Sequence, residues 1–395
     1  MRIFVTVGVP SARFAREACS LARTLVMGLA TLLDGSAFGA GPDTASPTVP
    51  PFSLIYAVRS WEGDYASRNI PGGVETTPVR SELWRISFDG TDPTRIRIPG
   101  PRVEHPVASP DGQWLLWQSQ TQGQWQVVRG RPDGTEAQRI GPPPEWERSW
   151  PDAFGAAFST DGSRLAYTVH NGREGRTVLA RADGSHAQLL APEFGYAYMA
   201  FPDSHSDRVV CSGPAQGYRL ALLSAGDGAA RVLTPELTDC YAPQFSPDGK
   251  TLLFIRREGG LWRIGADGTE PRRLALGLEV EFRLSAEDQH GSTDFPSLSP
   301  DGREVAYIAR DPEGVPNVFT VSLEGSHPRQ RTHHVRACGR VRWSPDGRWL
   351  AYVSFDAGQR PQLHLLAAEG GRPPQMLTTG TGAVYSLTWL NRGSG

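Results

Sequence analysis

Phe245-Ser246-Pro247-Asp248-Gly249-Lys250 is the stretch on which the reading of this chain turns. Proline fixes φ near the value that the first central position of a tight turn needs. Asp bonds its own backbone two residues on, and Gly accepts the positive φ that closes the turn. An apolar residue stands before the motif and an alternating run follows it, as in Trp349-Leu350-Ala351-Tyr352-Val353, which is the grammar of a β-hairpin. Copies stand at Ala108-Ser109-Pro110-Asp111-Gly112, Phe158-Ser159-Thr160-Asp161-Gly162, Leu298-Ser299-Pro300-Asp301-Gly302 and Trp343-Ser344-Pro345-Asp346-Gly347. A second turn follows each copy, at Asp133-Gly134, Asp183-Gly184, Asp267-Gly268, Glu324-Gly325 and Glu369-Gly370, always 19 to 23 residues after the first acidic residue. Two hairpins of similar size therefore recur together, giving four strands per unit.

Successive first turns are separated by 50, 87, 53 and 45 residues, counted between Asp111, Asp161, Asp248, Asp301 and Asp346. The long step hides a degenerate copy: Met199-Ala200-Phe201-Pro202-Asp203 stands where a turn begins, and Gly226-Asp227-Gly228 supplies the second turn. Four-stranded units at periods of roughly 40 to 50 residues predict an all-β fold, a β-propeller. Innermost strands fall near residues 107, 157, 200, 244, 297, 342 and 387, so seven blades are expected; six or eight would make one alignment spurious. Phe52–Val58 resembles the strand after a turn and lacks the one before it. Val384–Trp389 supplies the missing strand, so the C-terminal strand is expected to complete the N-terminal blade and close the ring, leaving no free sheet edge.

The 395 residues are 39% hydrophobic, enough for a large core, which a propeller places in a single domain over 52–391. Formal charge is −2 and Lys250 is the one lysine, so neither a nucleic acid footprint nor a basic run for an anionic membrane is present. Residues 1–40 carry Arg2, Arg13, Arg16 and Arg23 ahead of Leu25–Leu33 and then Ala37-Phe38-Gly39, the pattern of a signal peptide, with a disordered leader as the alternative. The apolar run is too short for a transmembrane helix. Residues 41–51 read as a Pro-rich linker. A periplasmic or secreted, monomeric protein is expected. Cys211, Cys240 and Cys338 are an odd set and are expected as unpaired thiols.

Both stereotyped turns fall on one face of such a ring, and length variation falls on the other, where a rigid scaffold would present binding loops. Candidates there are Trp61, Tyr65 and Arg68 in the first long loop, Trp146 and Trp150 before the third blade, Asp288 and His290 before the sixth, and His333, His334 and Arg336 before the seventh. Aromatics beside Arg and carboxylates suit a protein or peptide partner, or an oligosaccharide. No Gly-x-Ser-x-Gly elbow is present. The Asp-Gly turns are explained by backbone geometry and lack the multiple-ligand loop that calcium needs. No metal and no cofactor is expected, and no catalytic residue is assigned. The recurrent aromatics Trp117, Tyr167, Phe254, Tyr307 and Tyr352 read as packing between blades.

The Ser-Pro-Asp-Gly turn, alternating strand, Asp-Gly turn and Leu-Thr ending (Leu233-Thr234, Leu377-Thr378) resemble the WD40-like, or PD40, repeat of the TolB-like propeller superfamily over nearly all of 52–391. Its members include TolB, the propellers of prolyl oligopeptidase and dipeptidyl peptidase IV, and oligogalacturonate lyase. The resemblance implies an exported, non-enzymatic propeller binding a protein or peptide at the loop-rich face. The alternative it implies is a polysaccharide-acting enzyme like oligogalacturonate lyase, with His290, His333 and His334 as metal or acid/base groups.

Overall fold

The computed structural model describes residues 52–60, 80–191, 198–203, 207–213, 217–256, 260–275, 295–325, 328–358 and 360–391. The leader and linker lie outside the described residues, as do Trp61, Tyr65, Arg68, Asp288 and His290. Among the described residues there is no α-helix, and one short 3-10 turn occurs at Pro144–Trp146.

Strands β1 (Phe52–Ser60), β2 (Arg80–Ser87) and β3 (Thr94–Arg95) are followed by β4 (Arg102–Ala108), β5 (Leu115–Thr121), β6 (Gln124–Gly130) and β7 (Gln138–Gly141). Next come β8 (Asp152–Phe158), β9 (Arg164–His170), β10 (Gly175–Arg181) and β11 (Gln188–Leu189), then β12 (Tyr198–Pro202), β13 (Arg208–Gly213), β14 (Arg219–Ser224) and β15 (Ala230–Val232). The third and fourth such groups are β16 (Cys240–Phe245), β17 (Thr251–Arg256), β18 (Gly260–Gly265) and β19 (Arg272–Arg273), and β20 (Ser297–Leu298), β21 (Glu304–Arg310), β22 (Pro316–Ser322) and β23 (Arg329–Gln330). The last is β24 (Cys338–Trp343), β25 (Trp349–Phe355), β26 (Pro361–Ala367) and β27 (Gln375–Met376), after which the chain ends on β28 (Ala383–Asn391).

Each group from β8 onward is a separate four-stranded antiparallel sheet. The remaining eight strands share one sheet, in which β28-β1-β2-β3 and β4-β5-β6-β7 are joined by a single parallel pair, Ser81 with Arg102. The far C-terminal strand thus pairs with the first one, with Leu54 opposite Trp389 and Arg59 opposite Ala383.

Turn chemistry follows the sequence reading and adds a role for serine. In the five Ser-Pro-Asp-Gly-type turns the Ser hydroxyl donates to the Asp carboxylate at 2.5–2.6 Å, and the amide two residues past Asp donates to the same oxygen. Each serine also accepts the amide five residues on, so a buried hydroxyl ties both strands of the hairpin together.

Along the second strand of each sheet, alternate side chains enter two different cores. Leu252 and Phe254 pack on the preceding sheet, and Leu253 and Ile255 on the following one. Val305 and Tyr307 repeat this against Ala306 and Ile308, as do Leu350 and Tyr352 against Ala351 and Val353. The recurrent aromatics Trp117, Tyr167, Phe254, Tyr307 and Tyr352 are all fully buried in these clusters. One cluster joins the last sheet, through Ala351, Val353 and Leu363, to Phe52, Leu54, Tyr56 and Trp389.

Gly112 shows how closely the C-terminal strand is held. It has φ +69°, and a Cβ there would overlap the carbonyl of Asn391. Gly123 also has a positive φ, +83°, yet a Cβ there meets nothing within 4 Å. Gly123→Ala should cost about 1 kcal/mol of backbone strain, and Gly112→Ala about 1–3 kcal/mol beyond that from overpacking. Paired denaturant melts of the two variants measure the difference; equal losses would show that β28 does not press on this turn.

Candidate functional site

The first strand of nearly every meander carries the same irregularity. Register slips between Glu104 and Val107, Phe154 and Ala157, Tyr198 and Phe201, Tyr241 and Gln244, and Gly339 and Arg342. The β1–β28 pairing also slips, with Tyr385 as the extra residue. At these bulges His105, Gly155, Ala242 and Arg340 have φ of 52°, 66°, 54° and 58°. A β-bulge breaks the side-to-side alternation and re-aims a side chain. All four sit five residues before the turn proline or its Thr160 counterpart, a spacing that is readable in the sequence once the bulge is known.

The first strands converge on a cavity of about 220 Å³ lined by residues of five of the six sheets and by Phe295, which stands just before β20. Its apolar part is Phe154, Phe201, Phe295 and Leu387, and its polar part includes His105, Gln244 and Arg342. Phe201 and Phe295 meet edge to face, 5.7 Å between centroids. Gln244 Nε2 donates to Pro296 O at 2.9 Å, and Arg342 Nη1 to Phe295 O at 2.9 Å and Val341 O at 2.8 Å. Thr168 Oγ1 and Ser386 Oγ also line the cavity, buried and with no hydrogen-bond partner in the protein.

A buried ionic cluster stands beside it, where β1, β4 and β28 meet. Arg59 donates to both oxygens of Glu104, from Nε at 3.1 Å and from Nη2 at 2.8 Å, and Arg102 Nη2 adds a bond of 3.0 Å to Oε1. Tyr385 packs against this group: the Arg59 guanidinium carbon is 3.1 Å and that of Arg340 4.7 Å from its ring centroid, while His105 meets it edge-on at 5.3 Å. Arg59 ends β1 and Arg102 begins β4, so the cluster lies toward the loop-lined end of the cavity, away from the Ser-Pro-Asp-Gly turns. Burial alone would raise the Glu104 pKa. The Arg59 charge and hydrogen bonds, with His105 and Arg102, outweigh it and bring the pKa down to about 2.

Sequence-predicted residues take several different positions. Trp146 and Trp150 lie in the connection before β8, half-buried against the core between the second and third meanders, with Arg176 5.4 Å over the Trp150 ring. They cap that core rather than standing free. His333 is exposed, whereas its neighbour His334 is half-buried, with Nε2 2.7 Å from Tyr352 Oη and its ring 5.5 Å from His364. Burial lowers the pKa of both His334 and His364. Arg336 donates to Asp356 O at 3.0 Å. Among the described residues no group of three or more His, Cys, Asp or Glu is placed to hold a metal ion. Cys211, Cys240 and Cys338 are free and buried, and burial pushes their thiols up to about 12, 11 and 11. Glu104, His105, Arg342 and Tyr385 were not singled out from sequence.

No protein-family model matches the chain. Among solved structures, it is similar to a puromycin-hydrolyzing peptidase of Mycobacterium tuberculosis, with TM-score 0.60 and 15% identity over 76% of this chain and 49% of that one. The chain thus spans about half the length of that peptidase. It is also similar to the β-propeller domain of the trilobed protease from Pyrococcus furiosus, with TM-score 0.56 and 11% identity over 83% of this chain and 94% of the other. The fold is that of a β-propeller. A third similar propeller is an oligogalacturonate lyase in complex with manganese, with TM-score 0.52 and 18% identity over 68% and 74% of the two chains. At such identities the likeness is one of architecture. No helix among the described residues is long and apolar enough to cross a membrane.

Glu104 generates a pH prediction. Its folded pKa lies below the usual carboxylate value of 4.5, so its contribution is complete above that value and is lost as pH falls toward about 2. With Glu104 only 1% exposed, the loss should be roughly 3 kcal/mol. Glu104→Gln removes the buried carboxylate that Arg59 and Arg102 share and should cost about 3–5 kcal/mol at neutral pH. Urea melts of the wild type and variant from pH 6 to pH 2 check both. A variant with the same acid limb as the wild type would contradict the assignment to Glu104.

Proposed function

We propose that residues 52–391 form one seven-bladed ring closed by β28, and that the protein is an exported, non-enzymatic binding module taking a protein or peptide at the loop-lined end of its channel. The ring is supported by the β28–β1 pairing and by the core shared between the last sheet and the first. In that frame β28-β1-β2-β3 is one blade and β4-β5-β6-β7 the next. Export rests on the signal-like leader of residues 1–40.

The observation that carries the binding role is the cavity. Five of the six sheets line it, together with Phe295 just before β20; its wall mixes phenylalanines with a pinned guanidinium, and bulges in successive first strands face it. An apolar concavity with a few fixed polar groups is what a binding site requires. The described histidines favour binding over His-based lyase chemistry, because His333 faces solvent while His334 turns onto Tyr352.

Two experiments test the proposal. Deleting residues 383–391 should lower Tm by more than about 10 °C or give an aggregating product, since β1 would lose its partner and the last-to-first core its cover. An unchanged melt would refute closure. For function, the immobilised protein should enrich peptides from a random library, and Phe295→Ala should weaken the enriched peptides about tenfold or more. Depolymerisation of polygalacturonate by the purified protein, with no peptide enriched, would overturn the binding role in favour of a lyase.

A further inference from the structure

Two hydroxyls in the cavity wall lack a hydrogen bond. Thr168 of β9 is 0% exposed and Ser386 of β28 is 2% exposed, and neither side-chain oxygen has a hydrogen-bond partner in the protein. A buried hydroxyl left unbonded costs stability, so in folded proteins such a group is bonded to the chain, to water or to a ligand. The two residues belong to different sheets and share this one space. An occupant of the cavity can therefore supply what both lack.

Other polar groups on that wall are engaged with the protein itself. Arg342 donates to the carbonyls of Phe295 and Val341, and Gln244 to that of Pro296. Much of the remaining wall is hydrocarbon, with Phe154 from β8, Phe201 from β12, Phe295 from the segment before β20 and Leu387 from β28. Phe201 and Phe295 already meet edge to face, and a further ring can join such a group through the same kind of contact. An apolar cavity of about 150 Å³ is known to hold benzene, so about 220 Å³ leaves room for a ring and a substituent. Gly155 adds to that room, since a Cβ built on it meets no atom within 4 Å.

Resting on the binding role proposed above, we infer that the cavity seats a tyrosine side chain of the bound peptide, its ring among the three phenylalanines and its phenol hydroxyl supplying the partner that Thr168 and Ser386 lack. A phenol donates one hydrogen bond and accepts another, so a single group can serve both residues. Phenylalanine would leave both hydroxyls unbonded. A charged side chain would have to shed its water among three phenyl rings.

The probes are p-cresol and toluene, the side chains of tyrosine and phenylalanine, titrated calorimetrically into the full-length protein. p-Cresol should bind about tenfold or more tightly than toluene. Thr168→Val and Ser386→Ala remove one hydroxyl each at nearly constant shape. Each should weaken p-cresol about tenfold and leave toluene unchanged, with a Tm at or above that of the wild type because an unbonded buried group has been removed. Peptides that the immobilised protein enriches from a random library should carry a tyrosine, and replacing it with phenylalanine should weaken them about tenfold. Toluene bound as well as p-cresol, p-cresol bound equally by wild type and both variants, or a lowered Tm in both variants would overturn the hydroxyl-lined seat. Failure of p-cresol to bind at all would do the same and assign the hydroxyls to water. Peptides enriched without tyrosine, with p-cresol behaving as expected, would overturn the tyrosine and leave the peptide-binding role standing. No peptide enriched while p-cresol binds would overturn that role and the tyrosine together, in favour of a free small phenol.

Discussion

Both faces of each sheet in this molecule are apolar, and that constraint organises the rest. In β17, Leu252 and Phe254 point one way and Leu253 and Ile255 the other, all fully buried. A single four-stranded sheet of this kind would expose a core's worth of hydrocarbon on either side, at roughly 25 cal/mol per Å². Stacking sheets side by side covers each face with a neighbour's, but a linear stack leaves two bare ends. Bending the stack into the closed ring proposed above would remove them, and a shared cluster does pack Val353 and Leu363 of the last sheet against Leu54 and Trp389. Strand alternation in such a protein separates two neighbours rather than core from water.

A ring of sheets has an axis, and the first strands facing it have no neighbour on that side. Regular pleating sends their side chains into the two flanking cores, leaving mostly backbone toward the axis. The bulges change this by inserting a residue that answers to neither core. At His105 and Arg340 the chain accepts positive φ at a non-glycine residue, at a cost on the order of 1 kcal/mol each. Such strain persists where the surroundings over-determine it. Glu104 is the clearest surrounding device, since its bonds to Arg59 lock β1 to β4 directly beside the His105 bulge while Arg102 of β4 holds the same carboxylate.

Much of this was readable from the chain. The turns were, because Pro, Asp and Gly each have one backbone job there, and the five bonds from the amide two residues past each Asp to its carboxylate bear that out. The interblade aromatics were also readable, because they recur at one offset from the turn. The channel was not. Glu104-His105-Pro106 looks like a break in a strand, since local pattern cannot distinguish a polar bulge at the axis from a polar edge at the surface. Trp146 and Trp150 stand among Pro, Glu and Arg, so their sequence setting gives no sign that they lie half-buried over the core between two sheets. His333-His334 shows the same limit at the scale of a single peptide bond. Adjacent identical residues take opposite environments because an Asn317 side chain captures the backbone amide of His334 and turns its ring toward Tyr352.

The repeat also explains why specificity can reside at the axis without disturbing the ring. Positions that pack between sheets are each held by two neighbours, so their identity is dictated by volume, as Tyr167, Tyr307 and Tyr352 illustrate. The bulge position is released from both cores, and it is the place where equivalent residues differ most, from Gly155 to Arg340. Its variety is what a position would show if the lumen, rather than the fold, determined its side chain. The same logic accounts for the placement of the ionic cluster. A buried carboxylate with two guanidiniums is costly in the core between two sheets, where apolar packing serves as well. Beside the cavity it can fix the orientation of Tyr385, over whose ring Arg59 and Arg340 sit.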